Sequence, residues 1–417
     1  MARVLIYFLI SYLLNVVDSN CSEGCLPNFS CNPYDNKCYE NPTPSTRPSV
    51  WLGEAPDKCD RTEKHCELFG LNYDSSHPKG DGEFCRNGTK VRCLVQENID
   101  LETTPSNEFR YVTYNIFERD FAITYDGQRE RSCRIIYWMI RNHPNIDAFS
   151  FQETFMGGCF SDDNLTLRDM LTYYGFEYYT QTIESDSQPS NGGIFIASRW
   201  PIAFNSSYVY TNYKPDSWDS FAAKGIVYAK VIKTVNQKAE IYHLGGTHLQ
   251  SGKPKTYQSQ QCKEIAEFFG NLSIPETEAV LIGGDFNLNQ LLSNDTEETE
   301  NLIKCMEYLN ANIPVNTGPL NATTDPTTND LLQILKPNKT KKNWIDYVLP
   351  SISFKKPIES SQTVLQPKAS EKFPICLCER CIPLDDYIYP DDPECGRVVK
   401  ISHLADHYPV LGKFVFQ

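Results

Sequence analysis

The 417-residue sequence lacks a basic surplus: 39 Lys and Arg stand against 53 Asp and Glu, a formal net charge of −14. That balance argues against a nucleic-acid binder whose affinity comes from neutralising phosphates. It does not exclude phosphoester chemistry, because such sites need carboxylates to hold metal. Long apolar runs are also scarce. The single one, Val4 to Val17, follows Arg3 and precedes Asp18, Ser19 and Asn20. This reads as a secretory signal over residues 1–19, since the run is short for a membrane span. An uncleaved anchor is the competing reading. The terminal LGKFVFQ is too short for a lipid-anchor signal. GxSxG, HExxH, GxxxxGK[ST] and an early Rossmann glycine pattern are all missing. Hydrophobic residues at 40% and charged residues at 22% exclude a disordered chain.

Cysteine, in contrast, is plentiful. Sixteen cysteines point to an oxidising compartment and thus to a secreted, extracellular protein. Acceptors for N-glycosylation at Asn28, Asn87, Asn164, Asn205, Asn271, Asn294, Asn321 and Asn338 agree. Eight cysteines lie between Cys21 and Cys93 in a region rich in Pro, Asn and Asp. Residues 20–105 therefore read as a disulfide-held N-terminal region, with Pro42 to Pro48 as a linker and Asn87-Gly88 as a hairpin turn. Zinc competes with disulfides there, but paired CxxC knuckles are lacking.

From about Arg110 the texture alternates between strand and helix. RYVTYNIF, IDAFSF, GGIFIAS, GIVYAKVI, EIYHLGGTHL, AVLIGGDF and WIDYVL read as strands. Arg129–Arg141, Pro254–Phe269 and Glu297–Leu309 read as helices. Residues 106–417 thus predict one large α/β domain. Ser351 to Lys400 shows little periodicity and reads as an ordered, cysteine-rich insertion. It carries Cys376, Cys378, Cys381 and Cys395; the CxxC of Cys378 and Cys381 leaves a small metal knuckle as an alternative.

Polar residues recur at strand ends: Asn115, Gln152-Glu153, His248, Asp285, Asn287, Asp346 and Asp406-His407. Singly, each reads as a satisfied loop residue. Together they form a coherent chemical set. Glu153 is a hard oxygen ligand suited to Mg²⁺. Asp285 and Asn287, two apart on an extended segment, would point the same way. Two histidines can divide water activation and leaving-group protonation. The set predicts metal-assisted cleavage of a phosphoester by water. Gly283-Gly284 before Asp285 reads as a tight turn.

The blocks YNIF, FQETF, NGGIFIASRWPI, DSFAAKGIVYAK, GTHLQS, GGDFNLN, WIDYVL and ADHYPV occur in that order. The order resembles the endonuclease/exonuclease/phosphatase superfamily, and within it the secreted neutral sphingomyelinases. The resemblance implies a DNase I-like four-layer α/β sandwich. It implies that Glu153 is the principal Mg²⁺ ligand, with Asn115 beside it at metal and phosphate. Asp285 and Asn287 are then the pair that binds phosphate and orients water, with Asp285 and Asp406 also near the metal. His407 resembles the general base, with Asp406 beside it and Asp346 orienting it. His248 resembles the histidine near the leaving group and contacts phosphate. Asp219 and Lys224 match a pair that arranges the site.

The implied reaction is hydrolysis of sphingomyelin, in membranes or lipoproteins, to ceramide and phosphocholine. The implied enzyme is a monomer in peripheral contact with membrane and without a nucleic-acid partner. Aromatic faces can bind the quaternary ammonium head group, and Trp218 and Tyr213 are candidates. There are departures: Ala405 replaces the usual serine before Asp406, and Gln152 stands where asparagine is frequent. An aromatic membrane-contacting hairpin is replaced by the insertion, so Phe373 to Tyr389 is expected to face lipid. The alternatives are a secreted DNase I-like nuclease, which would share the metal and histidine residues, and a non-catalytic lipid-binding relative. The latter would be expected to lose Glu153, Asp285, His248 or His407; all four are present.

Overall fold

The computed structural model describes residues 16–121, 123–161, 165–292, 294–378 and 387–417. Apart from the 162–165 stretch, residues through Glu97 form one compact unit and those from Asn98 a second.

The N-terminal unit holds two three-stranded sheets and four disulfides: Cys21–Cys31, Cys25–Cys38, Cys59–Cys85 and Cys66–Cys93. Disulfides replace the core that so polar a segment cannot build. Val16–Asn20 pairs with Lys37–Glu40, so this strand includes the expected cleavage point. The remainder of the expected signal, residues 1–15, lies outside the described residues. The Asn87-Gly88 hairpin does not form. Lys90–Leu94 is a central strand paired with Ser49–Leu52 and Asn72–His77, and Gly88 (φ 76°) merely turns the chain into it. Non-local pairing overrides the local turn signal.

In the second unit two sheets pack face to face. One has seven strands in the order Tyr178–Tyr179, Phe195–Ser198, Ala148–Thr154, Glu108–Glu118, Val410–Val415, Glu359–Val364, Val315–Asn316. The other orders Ile202–Val209, Gly225–Val235, Lys238–His248, Ala279–Asp285 and Asp346–Pro350. The Phe109 and Tyr242 rings meet across the interface at 4.3 Å, and the Tyr111 hydroxyl donates to Gly245 O at 3.0 Å. Helices cover the outer faces: Gln128–Asn142 on the first sheet, Thr256–Asn271 and Thr296–Leu309 on the second. The arrangement is helix–sheet–sheet–helix, the DNase I-like sandwich. Helix bounds match expectation within two residues because the apolar face is strongly periodic; Ile135, Ile136 and Met139 are fully buried. Cys262–Cys305 joins two outer helices, and Cys133–Cys159 ties a third to the loop after Ala148–Thr154.

Gly283-Gly284 is not a turn. Both lie in the Ala279–Asp285 strand, where a Cβ on Gly284 would stand 2.3 Å from Thr247 O. Glycine there permits close strand approach.

The late insertion is more regular than its composition indicates. Lys368–Cys378 and Val398–His403 form an antiparallel hairpin closed by Cys376–Cys395. Its polar, solvent-facing strand masks the alternation. Cys378 is disulfide-bonded, so it offers no thiolate to a metal knuckle; Cys381 lies outside the described residues. Phe373, Ile388 and Tyr389 are buried against protein, contrary to a lipid-facing role for them. The rest of the stretch, 379–386, is outside the described residues. Seven of the eight glycosylation acceptors are exposed, and Asn164 falls outside.

Candidate active site

Sheet register assembles the site. His248 ends one strand and pairs with Asp285, which ends the next; Asp285 in turn pairs with Asp346, which begins the third. Three chemically active residues thus stand in one row. The facing sheet supplies Asn115 and Glu153 from adjacent parallel strands. Asn115 bridges the two sheets: its amide donates to Glu153 Oε1 at 2.9 Å and to Asp285 Oδ2 at 3.2 Å. Asp406-His407 enters from the connection between Val398–His403 and Val410–Val415.

His407 Nδ1 is 2.9 Å from Asp346 Oδ2. The carboxylate accepts from Nδ1–H, so Nε2 turns toward Asp285 and Asp406, 3.9 and 4.0 Å away. Burial pushes His407 down, but Asp346, Asp406 and Asp285 together hold it well above its ordinary value. The second histidine has the opposite environment. Lys224 Nζ lies 3.1 Å from His248 Nε2, and burial plus this cation push His248 well below its ordinary value. The lysine donates, so Nε2 accepts. The two histidines are thus driven apart in basicity.

Lys224 is fixed by Asp219 (3.1 Å) and by Leu249 O (3.0 Å). Burial raises Asp219, yet Lys224 and His248 outweigh it and bring the carboxyl down to about 2. Gln250 Nε2 and Ser251 N–H also donate to Asp219. Gln250 and Ser251 stand two and three positions after His248 in GTHLQS, and that proximity is the signal that points to them.

Asn287 corrects the alternation argument. The strand ends at Asp285, and Asn287 has a left-handed backbone (φ 51°) that folds back, donating its N–H to Asp285 Oδ1 at 2.9 Å. Its side chain donates to Leu249 O. Glu153 is also left-handed (φ 54°). The NGG block explains how: a Cβ on Gly193 (φ 61°) would stand 2.9 Å from Thr154 N and 3.1 Å from Glu153 Cα. Gly193→Ala is therefore expected to displace Glu153 and lower catalytic activity at least tenfold. Gly24→Ala, also at positive φ but in open space, should lose only ~1 kcal/mol of stability. Equal activity of the two variants in a steady-state assay would refute the account.

The departures from the family blocks are benign. Gln152 is buried, accepting from Thr113 and donating to Ser150. Ala405 is buried, and its carbonyl accepts from Asn329 at 2.8 Å. The lost serine hydroxyl leaves the backbone before Asp406 anchored.

The donor set fits a hard divalent cation. Asn115 bridges Glu153 and Asp285, and His407 Nε2 faces both Asp285 and Asp406; burial and Asp406 push Glu153 up, while burial and Asp346 push Asp285 up to about 7. Asp406 Oδ1 is buried without a hydrogen-bond partner. Carboxylates so crowded are stabilised by an added cation. Asp285, Asp346 and His407 also lie within 4.8 Å of one another, but the Asp346–His407 hydrogen bond marks that pair as a proton-handling unit.

A cleft of 440 Å³ opens over Glu153, Lys224 and His248. Its walls include Arg119, Asp120, Ile123, Phe155 and Phe221. Tyr213 does not line it, and the Trp218 side chain falls outside what the structure describes. Phe155 and Phe221 provide the cleft's aromatic faces, each two positions after a site residue.

The model of the endonuclease/exonuclease/phosphatase family matches residues 112–393. Sphingomyelinase C of Bacillus cereus is 36% identical over 194 residues, 45% of this chain and 56% of that protein. The match therefore spans little more than half of that relative. A mutant beta toxin from Staphylococcus aureus with bound magnesium ions superposes with a TM-score of 0.58 at 24% identity, covering 73% of this chain and 99% of that one. Sphingomyelinase C from Streptomyces griseocarneus gives 0.59 at 19% identity, covering 74% and 99%. These two likenesses show the fold.

Proposed function

Because the chain belongs to the endonuclease/exonuclease/phosphatase family, we propose that it is a secreted, Mg²⁺-dependent phosphodiesterase that hydrolyses sphingomyelin to ceramide and phosphocholine. The observation that carries this reading is the row His248–Asp285–Asp346 facing Asn115 and Glu153, found in a chain 36% identical to a sphingomyelinase C. The magnesium-bound beta toxin supports the choice of ion, as do the oxygen donors Glu153, Asn115, Asp285 and Asp406. When bound, the cation offsets negative charge on the phosphoryl group.

The residues divide the remaining work. Asp285 and Asn287 orient the phosphate and the attacking water. His407, oriented by Asp346, takes the proton of water at Nε2. Water attacks phosphorus in line, the P–O bond to ceramide breaks, and the leaving oxygen takes a proton at the His248–Lys224 pair to give the ceramide hydroxyl. His248 and Lys224 stand at the leaving oxygen, where the lysine charge stabilises developing negative charge. The aromatic faces of Phe155 and Phe221 suit a quaternary ammonium. The protein acts as a monomer in peripheral contact with membrane, its exposed asparagines glycosylated.

Purified protein with Mg²⁺ should release phosphocholine from sphingomyelin vesicles and leave plasmid DNA intact. EDTA should abolish release and added Mg²⁺ restore it. Plasmid nicking without phosphocholine release would establish the nuclease alternative instead.

A further inference from the structure

One wall of the cleft, Arg119 to Ile123, is a loop without strand partners of its own; Ala122 within it lies outside the described residues. What holds it is unusual. Tyr125-Asp126, directly after it, pairs with Leu377-Cys378 of the late hairpin. Thr124 Oγ1 donates to Cys378 O at 3.4 Å. Phe121 stacks on Tyr125 at 5.0 Å and meets Tyr387 edge-on at 5.5 Å. The Arg129 guanidinium lies 5.6 Å from the Phe121 ring and 4.6 Å from the Tyr387 ring. The Tyr387 hydroxyl donates to Glu130. Tyr125, Cys376 and Ile388 form a small buried core, and Cys376–Cys395 closes it. Ile375 rests on Gly127, where any Cβ would stand 2.4 Å from its Cγ2.

We infer that the disulfide-closed hairpin is a strut that positions the Arg119–Ile123 wall, making Tyr387 a positioning residue for substrate binding. Tyr387 of the insertion meets Phe121 of the wall loop, so the insertion shapes the cleft from behind. Arg119, Asp120 and Ile123 themselves line the cavity beside Glu153. Glu153, His248, Asp285 and Asp346 stand on the two sheets and Asp346 pins His407, so loosening the Tyr387 end of the strut leaves these groups in place. The wall instead samples positions unsuited to the bound head group, which weakens binding of ground and transition state alike.

The inference rests on the reading that this cleft binds sphingomyelin, and two measurements separate the two. In steady-state hydrolysis of sphingomyelin vesicles, Tyr387→Ala and Arg129→Gln should raise KM about fivefold or more with kcat within about twofold. Tyr387→Phe, which keeps the ring stack, should stay near wild type. Hydrogen exchange should show faster exchange of the 119–126 amides in Tyr387→Ala and not in Tyr387→Phe. A fall in kcat with KM unchanged overturns the strut, as does unaltered exchange in 119–126. If the wild type releases no phosphocholine, the catalytic reading fails and the exchange result alone decides the strut.

Discussion

Replacing His407 with Gln is expected to lower kcat for phosphocholine release ~10²- to 10⁴-fold, the range for losing a positioned general base. The effect is large because no neighbour can substitute. His248 is pushed down in basicity, but Lys224 Nζ occupies its Nε2 at 3.1 Å. In the proposed mechanism Asp285 and Asp406 serve the phosphate and the cation. Asp346→Asn should produce a loss of the same kind with the imidazole intact. The carboxylate accepts from Nδ1–H, whereas an amide can donate to Nδ1 and shift the proton to Nε2, the atom that must accept. Both variants should retain wild-type far-UV circular dichroism. A drop below tenfold in either would remove His407 from the role of base.

The second large effect concerns stability. Lys233 and Asp147 form an ion pair at 2.9 Å with both side chains fully buried. Lys233 also donates to Thr104 Oγ1 and to Glu108 O. Asp147 accepts from the Arg110 N–H and the Trp200 indole N–H at 2.7 Å. The pair ties the Gly225–Val235 strand to the start of Ala148–Thr154, one in each sheet. Lys233→Met should cost about 3–5 kcal/mol, because it leaves a buried carboxylate without its cation. Adding Asp147→Asn should recover only part of this, since an amide oxygen still accepts from Trp200 and Arg110 but the buried network keeps unmatched donors. Denaturant melts measure both. A loss under about 1 kcal/mol for Lys233→Met would show that water reaches the site.

Trp200 puts the NGGIFIASRWPI block in a new light. Its Gly193 packs against Glu153, whereas its Arg-Trp end belongs to this sheet-to-sheet tie. One sequence block can thus serve both the candidate site and the sheet-to-sheet tie.

How much of this was legible in the sequence depends on whether the cause was local. Of the residues named at strand ends, Asn115, Glu153, His248, Asp285, Asp346 and His407 come together in one cluster. Amphipathic helices were legible because their period is written in the residues that form them. The Lys368–Cys378 strand was not, since its partner lies about 25 residues on and its outer face is polar. The Lys233–Asp147 pair was not legible, because nothing local signals a partner 86 positions away. The backbone of Asn287 was missed for a third reason. Period-two reasoning holds only while a strand continues, and here it stops two residues earlier.

Glu153 and Asn287 share their left-handed backbone, and this has an energetic meaning. A non-glycine residue so placed stores roughly 1–3 kcal/mol, held in check by the surrounding fold. Two such residues at one site mean that the chain is folded against a local preference where it does its chemistry. Glycine would relax both positions, yet it would remove the carboxylate and the amide that the site requires. The site is therefore a place where greater stability and function are opposed, and selection for robustness alone would erase it first.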